Sequence, residues 1–274
     1  MKTVLILGIT ADIGRELAGR FARDGWRVAG THRPGALLGP GAAGYTLVPC
    51  DLAAPGSVDA AVRRCQELKL AWDLLVVAAG TEEPIGPFLE CDADDWDRGI
   101  AVNALAPLRF LRGIHDQRNR SGAPAVVFFS GAGTNNAAPA YSAYCASKIL
   151  LIKMCELLDA ESPDTSFFIV GPGIVRTKIH EQTLRAPEKS GANYKKVTDF
   201  LQSKNPGTSH EEIYQCLQWC LAAGKGAVGG RNLSLVFDEW RQGGSSLATA
   251  LKANQDLYKL RRHGNQLKFS PPAV

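Results

Sequence analysis

Short apolar runs alternate along the chain with longer stretches in which apolar residues return every three or four positions. The short runs stand at residues 4–8, 26–31, 45–49, 73–80, 125–130, 165–173 and 231–237. Each is nearly continuous in aliphatic and aromatic residues, as strands buried on both faces are. Helical spacing fills the gaps. Ile13, Leu17, Ala18 and Phe21 share one face of a segment at 13–24, and further helices are predicted over 55–69, 92–119, 141–160 and 208–223. Pro55 suits a first helical turn, and Asp92 with Asp95 makes a box-like helix start. Strands that alternate with helices need crossover connections and therefore run parallel. The pattern predicts an α/β fold, a single doubly wound domain with a seven-stranded parallel sheet and helices on both faces.

Two stretches depart from the alternation. Residues 176–206 are polar and punctuated by Pro187, Gly191 and Pro206, which reads as a lid over a binding site. The domain is expected to span 1–240, with 241–274 as an extension made of a Gly/Ser hinge, a short amphipathic helix and a polar end. Charge and composition narrow the picture a little. With 31 basic and 27 acidic residues the net charge is +4, and no Lys/Arg block is dense enough for a nucleic-acid surface. The basic run KLRRHGNQLK reads as a solvated tail. The first apolar run ends at Gly8–Ile9, with Asp12 and Arg15 close behind, unlike a secretory leader. No segment approaches the ~20 apolar residues of a membrane span. The seven scattered cysteines read as reduced thiols of a cytoplasmic protein, and no metal site is expected, since Cys216 and Cys220 have no second pair.

Candidate chemistry lies at the strand ends. The first strand runs into LGITADIGREL, where Gly8 and Gly14 permit a tight turn and close approach of backbone to a pyrophosphate. An ordinary strand-to-helix turn uses glycine too. The second strand ends in Thr31-His32-Arg33 without the carboxylate that an NAD ribose prefers. Arg33 offers donors for a 2′-phosphate, so NADP(H) is favoured over NAD(H), although an arginine before Pro34 also suits a solvated loop. Asp51 can accept from an adenine amino group or serve as an ordinary acid at a helix approach, and the small residues Ala78 to Gly80 leave room for a flat cofactor.

Tyr144 and Lys148 stand one helical turn apart. A free phenol titrates near ~10, and lowering that by ~3 units takes about 4 kcal/mol. One cation at ~4 Å in an effective dielectric of ~20 supplies about that much. A lysine so placed is of the right size to activate the phenol, though two helix residues fall at this spacing by chance as well. Ser130 ends the fifth strand, where its hydroxyl can meet a carbonyl oxygen. Asn103 sits mid-helix against its propensity, as in a bent helix that holds a water beside Lys148, although a core amide satisfied by backbone would sit there too.

These elements, in this order, resemble the short-chain dehydrogenase/reductase family of the classical type over residues 3 to 237. The resemblance implies a Rossmann-like fold and hydride transfer between a nicotinamide and a ketone or secondary alcohol. It implies Tyr144 as acid/base, Ser130 orienting the substrate oxygen, Lys148 holding the nicotinamide ribose and Asn103 sustaining a proton relay. The implied cofactor contacts are Gly8, Thr10, Asp12, Ile13, Gly14, Arg33, Asp51, Leu52, Ala79, Gly80, Pro172, Gly173, Ile174 and Thr177, together with Tyr144 and Lys148. Asp12 replaces the middle glycine of the turn and is expected to point away or cap the helix. Val77 and Ala78 stand where the family has two asparagines, and Gly131 holds the family's commonest serine position, one residue after Ser130. The expected partners are a small-molecule carbonyl or alcohol and further copies of the chain, as a homodimer or homotetramer, with neither nucleic acid nor membrane. The dimer helices would be 141–160 and 208–223, and the substrate pocket would be lined by 81–92, 132–141 and 176–206. A dinucleotide-sensing or scaffold protein without catalysis and a nucleotide-sugar epimerase are the competing readings.

Overall fold

Seven parallel strands form one sheet in the order β3-β2-β1-β4-β5-β6-β7. They are β1 (Thr3–Leu7), β2 (Arg27–His32), β3 (Thr46–Pro49), β4 (Leu74–Val77), β5 (Ala125–Phe129), β6 (Ser166–Gly171) and β7 (Asn232–Ser234). The computed structural model describes residues 1–37 and 39–262; the rest, including most of the basic run and the polar end of the chain, lies outside the described residues.

The continuous apolar runs divide between two cores by the alternation of the pleat. Val4 and Ile6 of β1 and Val127 and Phe129 of β5 face one side. There they meet α1 (Asp12–Arg23), α8 (His210–Ala223), α9 (Lys225–Val228) and α10 (Gly244–Ala253) through Leu17, Phe21, Leu217, Val228 and Leu251. Leu5, Leu7, Val126 and Phe128 face the other side, against α2 (Pro55–Glu67), α4 (Ala106–Ile114) and α5 (Ser142–Glu161). The cores account for five cysteines, Cys50, Cys65, Cys155, Cys216 and Cys220, and all seven cysteines are free thiols. Tyr214, Cys216, Leu217 and Cys220 of α8 are buried in the first of these cores.

Three local outcomes differ from the sequence pattern. The helix expected over 92–119 is three pieces: α3 (Ala93–Ile100), a wide π turn (Ala101–Leu105) and α4, which ends at Ile114. Pro107 supplies the reason. An α-helical carbonyl at Asn103 would accept from the amide of residue 107, and proline has none. The stretch 176–206 is not structureless, for it contains α6 (His180–Leu184) and α7 (Ala192–Gln202). Arg176 braces α7: its guanidinium lies over the Phe200 ring and donates to the carbonyls of Phe200, Leu201, Ser203 and Asn205. Just before β7, buried Arg231 donates to the carbonyls of Leu251, Asn254 and Leu257, which fixes the end of α10 against the sheet.

Candidate active site

The chain winds from β1 outward to β3, then crosses to β4 on the other side of β1. The carboxyl ends of β1 and β4 part there, and a cavity of about 1560 Å³ opens along the sheet edge. Of the residues singled out in the sequence, Gly8, Thr10, Asp12, Ile13, Arg33, Asp51, Leu52, Ala79, Gly80, Ser130, Tyr144, Lys148, Pro172, Gly173, Ile174 and Thr177 line it. Gly14 and Asn103 stand behind its wall.

At one end the walls are bare of side chains. A Cβ on Gly8, whose φ is +89°, would lie 2.7 Å from the Ala79 Cβ, and one on Gly14 would lie 2.3 Å from the Gly8 carbonyl oxygen. Only glycine lets the turn approach β4 so closely. The N-cap of α1 is Ala11, which makes no side-chain bond, so the first-turn amides keep their donors for an anion. Of the two expectations for Asp12, the helix cap does not hold. Its carboxylate accepts the Lys178 amide at 2.7 Å and pairs with Arg15 at 3.1 Å. The Lys178 ammonium donates to the Thr10 carbonyl at 3.0 Å, so the lid is tied across the turn. Arg33 is exposed just after β2, and the Asp51 carboxylate accepts the Ala53 amide at 3.0 Å. The glycine cradle and open helix start fit a dinucleotide.

The other end carries the ionisable groups. Tyr144 and Lys148 lie on the first turns of α5. Lys148 is 6% exposed, and its ammonium donates to the Phe129 carbonyl at 2.9 Å and lies 5.3 Å from the Tyr144 ring centroid. Asn103, in the π turn, holds Thr81 at both backbone groups: its amide oxygen accepts the Thr81 N–H and its amide nitrogen donates to the Thr81 carbonyl, each at 2.8 Å. A Cβ on Gly80 would sit 3.3 Å from the Asn103 Oδ1 and 3.9 Å from the Lys148 Nζ, so this glycine lets the amide and the ammonium approach one strand end. Gly131, rather than Ser130, lies against the phenol: a Cβ there would be 1.9 Å from the Tyr144 hydroxyl. Ser130 turns its hydroxyl toward β6, 3.0 Å from where a Cβ on Gly171 would stand.

Electrostatics also depart from the simple lysine argument. Burial, then the charge of Glu82 and of Cys145, push the Tyr144 phenol well above its ordinary value. Burial also pulls Lys148 down to about 8. Desolvation sets the direction for both groups, because both sit in the same dry wall.

Four further cavity residues fall within the stretches expected to line the substrate pocket, although the sequence reading gave none of them a role of its own. Glu82 reads as an ordinary loop acid in TEEP, and Gln182 and Thr183 as lid polarity. Tyr141, three residues before Tyr144, gave the one available signal. The Tyr141 hydroxyl lies 2.6 Å from that of Thr183, which donates to Glu82 at 2.9 Å. Burial raises Glu82 to about 7, against the Thr183 bond, which lowers it. Of the lid bases, Lys178, His180, Arg185 and Lys189 line the cavity, whereas Lys195 pairs with Asp199 on α7.

Solved structures share the fold: a short chain dehydrogenase/reductase from Saccharomyces cerevisiae is 22% identical, with a TM-score of 0.75 over 91% of this chain and 99% of its own. One from Burkholderia multivorans, solved with bound NADP, is 22% identical, with a TM-score of 0.66 over 86% and 97%. A 4-hydroxyisoleucine dehydrogenase complexed with NADH gives the same identity and TM-score over 85% and 96%. Among sequences, a D-threitol dehydrogenase of Mycolicibacterium smegmatis is 26% identical over 68% of this chain and 75% of its own. The oxidoreductase UcpA of Escherichia coli is 29% identical over 67% and 73%. The short chain dehydrogenase model matches residues 2–188, which span the glycine turn, Asn103, the Tyr144–Lys148 pair and the start of the lid, and by that match the chain belongs to the short chain dehydrogenase family.

Proposed function

We propose that the chain is an NADP(H)-linked oxidoreductase that interconverts a ketone and a secondary alcohol, with Tyr144 as the proton donor and acceptor. The observation that carries this reading is the Tyr144 hydroxyl held against Gly131 in the wall of the crevice, beside the buried Lys148 ammonium. When bound, the dinucleotide supplies or takes the hydride. Gly8, Gly14 and the start of α1 would hold its pyrophosphate, Asp51 its adenine, and Pro172 to Thr177 its nicotinamide end. Tyr144 gives its proton to the substrate oxygen as the carbon is reduced. Burial keeps the phenol protonated before transfer but also makes it a weaker acid, so the proton leaves only as Lys148 and the bound cofactor favour the phenolate. Lys148 holds the ribose and favours the phenolate that remains, Asn103 keeps Thr81 and the lysine pocket in place, and Ser130 supplies a second hydroxyl on the β6 side of the oxygen.

The test is a carbonyl and alcohol panel followed by nicotinamide absorbance, with NADPH and NADH in parallel. Arg33 decides the choice between them. Arg33→Ala is expected to raise the KM for NADPH about tenfold or more and leave that for NADH within about twofold, since an arginine–phosphate bond to a charged group is worth about 1.5–3 kcal/mol. Equal effects on both cofactors would remove the NADP preference from this reading. A second reading, a dinucleotide sensor without turnover, is favoured by Gly131, which brings no hydroxyl to the family's commonest serine position. Cofactor binding with no redox chemistry on any member of the panel would establish it. We also place the protein in the cytoplasm as a homodimer or homotetramer, associating through the outer side of α5, where Leu157 is exposed.

A further inference from the structure

Glu82 is a cavity carboxylate that the proposed mechanism leaves without a role. Its Oε2 accepts the Thr183 hydroxyl at 2.9 Å. Thr183 has a single hydroxyl hydrogen, which goes to Glu82, so the Tyr141 hydroxyl at 2.6 Å donates to Thr183. The result is a directed chain, Tyr141 to Thr183 to Glu82, running along the substrate end of the cavity. Its position is fixed from both sides. The Glu82 amide donates to the Gln182 side chain of α6 at 2.6 Å, and the preceding Thr81 is the residue that Asn103 grips.

A structural acid in such a place is normally paired with a cation. Among the described residues no ion pair reaches Glu82, and Arg185, which lines the same cavity, lies near Glu83 and Glu181 instead. Lys178, the lid base that would draw an anion, is bound to Thr10 and Asp12. At this corner a negatively charged group would meet the Glu82 carboxylate, with no cation paired to it among the described residues, while Lys189 and His180 stand elsewhere in the cavity wall. What this corner offers is acceptors: the second oxygen of Glu82 and the lone pairs of the Tyr141 oxygen. They match a ligand that brings hydroxyl hydrogens.

Resting on the oxidoreductase reading above, we propose that Glu82, Thr183 and Tyr141 form a substrate subsite that accepts a hydroxyl hydrogen close to the reacting carbon. The substrates are then neutral hydroxylated carbonyls and polyols, in preference to simple ketones or keto acids. Glu82 is a specificity-determining residue, and Thr183 and Tyr141 are positioning residues for it.

The experiment compares hydroxyacetone, acetone and pyruvate as substrates with NADPH, for the wild type, Glu82→Ala, Glu82→Gln and Thr183→Val. The wild type should favour hydroxyacetone over both others by about tenfold or more in kcat/KM, the size of one hydrogen bond to a charged group. Glu82→Ala should reduce that preference about tenfold, chiefly through KM for hydroxyacetone, with Glu82→Gln and Thr183→Val in between. NADPH affinity, measured on each variant, separates this from misfolding. A wild type that favours acetone or pyruvate, or a preference unchanged in Glu82→Ala, overturns the subsite. If none of the three is turned over, calorimetric titration of erythritol into the NADPH-loaded protein decides instead. Binding that weakens about tenfold in Glu82→Ala keeps the subsite, and the oxidoreductase reading falls only if the whole carbonyl and alcohol panel also gives no turnover; absent binding, or binding indifferent to Glu82, overturns the subsite.

Discussion

Tyr144→Phe is expected to reduce kcat about a thousandfold, with NADPH affinity and thermal stability near those of the wild type. The range for a positioned acid or base is about 10²–10⁴. The upper part of it applies here, because burial leaves little water to replace the lost proton donor: Lys148, next along the helix, is nearly sealed from solvent. The hydroxyl has no hydrogen-bond partner among the described residues that the change would orphan, so folding should barely register it. The pH profile supplies a second, independent readout. Lys148 is pulled down to about 8 by burial, so its charge is complete below that pH and lost above it. A cation beside Tyr144 favours the phenolate that forms as the proton leaves. Reductive turnover should therefore hold below pH ~8 and fall above it, and Lys148→Met should remove that alkaline limb along with most of the rate. Initial-rate kinetics against pH, with stability followed by thermal melting, check both. A Tyr144→Phe enzyme within about tenfold of the wild type would end the proposed mechanism.

The fold was legible because its signals are local and redundant. All seven strands fall where apolar runs predict them, although β4 stops at Val77 and β7 spans only Asn232–Ser234. In both cases the run continues into the loop that forms the crevice. The helix signals worked where capping chemistry was explicit, as at Asp92, whose carboxylate accepts the Asp95 amide at 3.0 Å. They failed at Asn103, where Pro107 four residues on was the overlooked mark of a wide turn. The lid was misjudged as irregular because α6 and α7 are short and polar, held by side-chain contacts such as those of Arg176 that no periodicity records.

The candidate site was legible where a motif ties a residue to a strand end, as at Gly8, Tyr144 and Lys148. It was opaque where function comes from juxtaposition across the chain. Glu82 and Thr183 are 101 residues apart, and nothing in either neighbourhood announces the other. The electrostatic argument failed for a related reason. A spacing of four residues reports that a cation is near the phenol, but the burial that sets the direction depends on the whole wall.

Gly131→Ala is the more searching substitution, since it changes no ionisable group. A methyl group there would lie 1.9 Å from the Tyr144 hydroxyl oxygen and 2.6 Å from the ring carbon that bears it, well inside contact distance. Gly131 has no positive φ, so the backbone itself accepts alanine and the whole effect falls on the phenol. The backbone of α5 cannot retreat, because Ala143, Ser147 and Leu151 anchor it in the core. The Tyr144 ring must swing instead. Misplacing a catalytic group by about 1 Å costs about 10²-fold in rate. Overpacking costs about 1–3 kcal/mol in stability, a fall of roughly 2–12 °C in Tm at this chain length. NADPH affinity should change little. Gly131→Ser sharpens the result, since it restores a hydroxyl at the family's commonest serine position while adding one more atom to the same overlap. If Ser130 is the working serine of this chain, Gly131→Ser is at least as slow as Gly131→Ala. If Gly131→Ser instead turns over faster than the wild type, the phenol is not seated against residue 131, and the assignment of Ser130 falls with it.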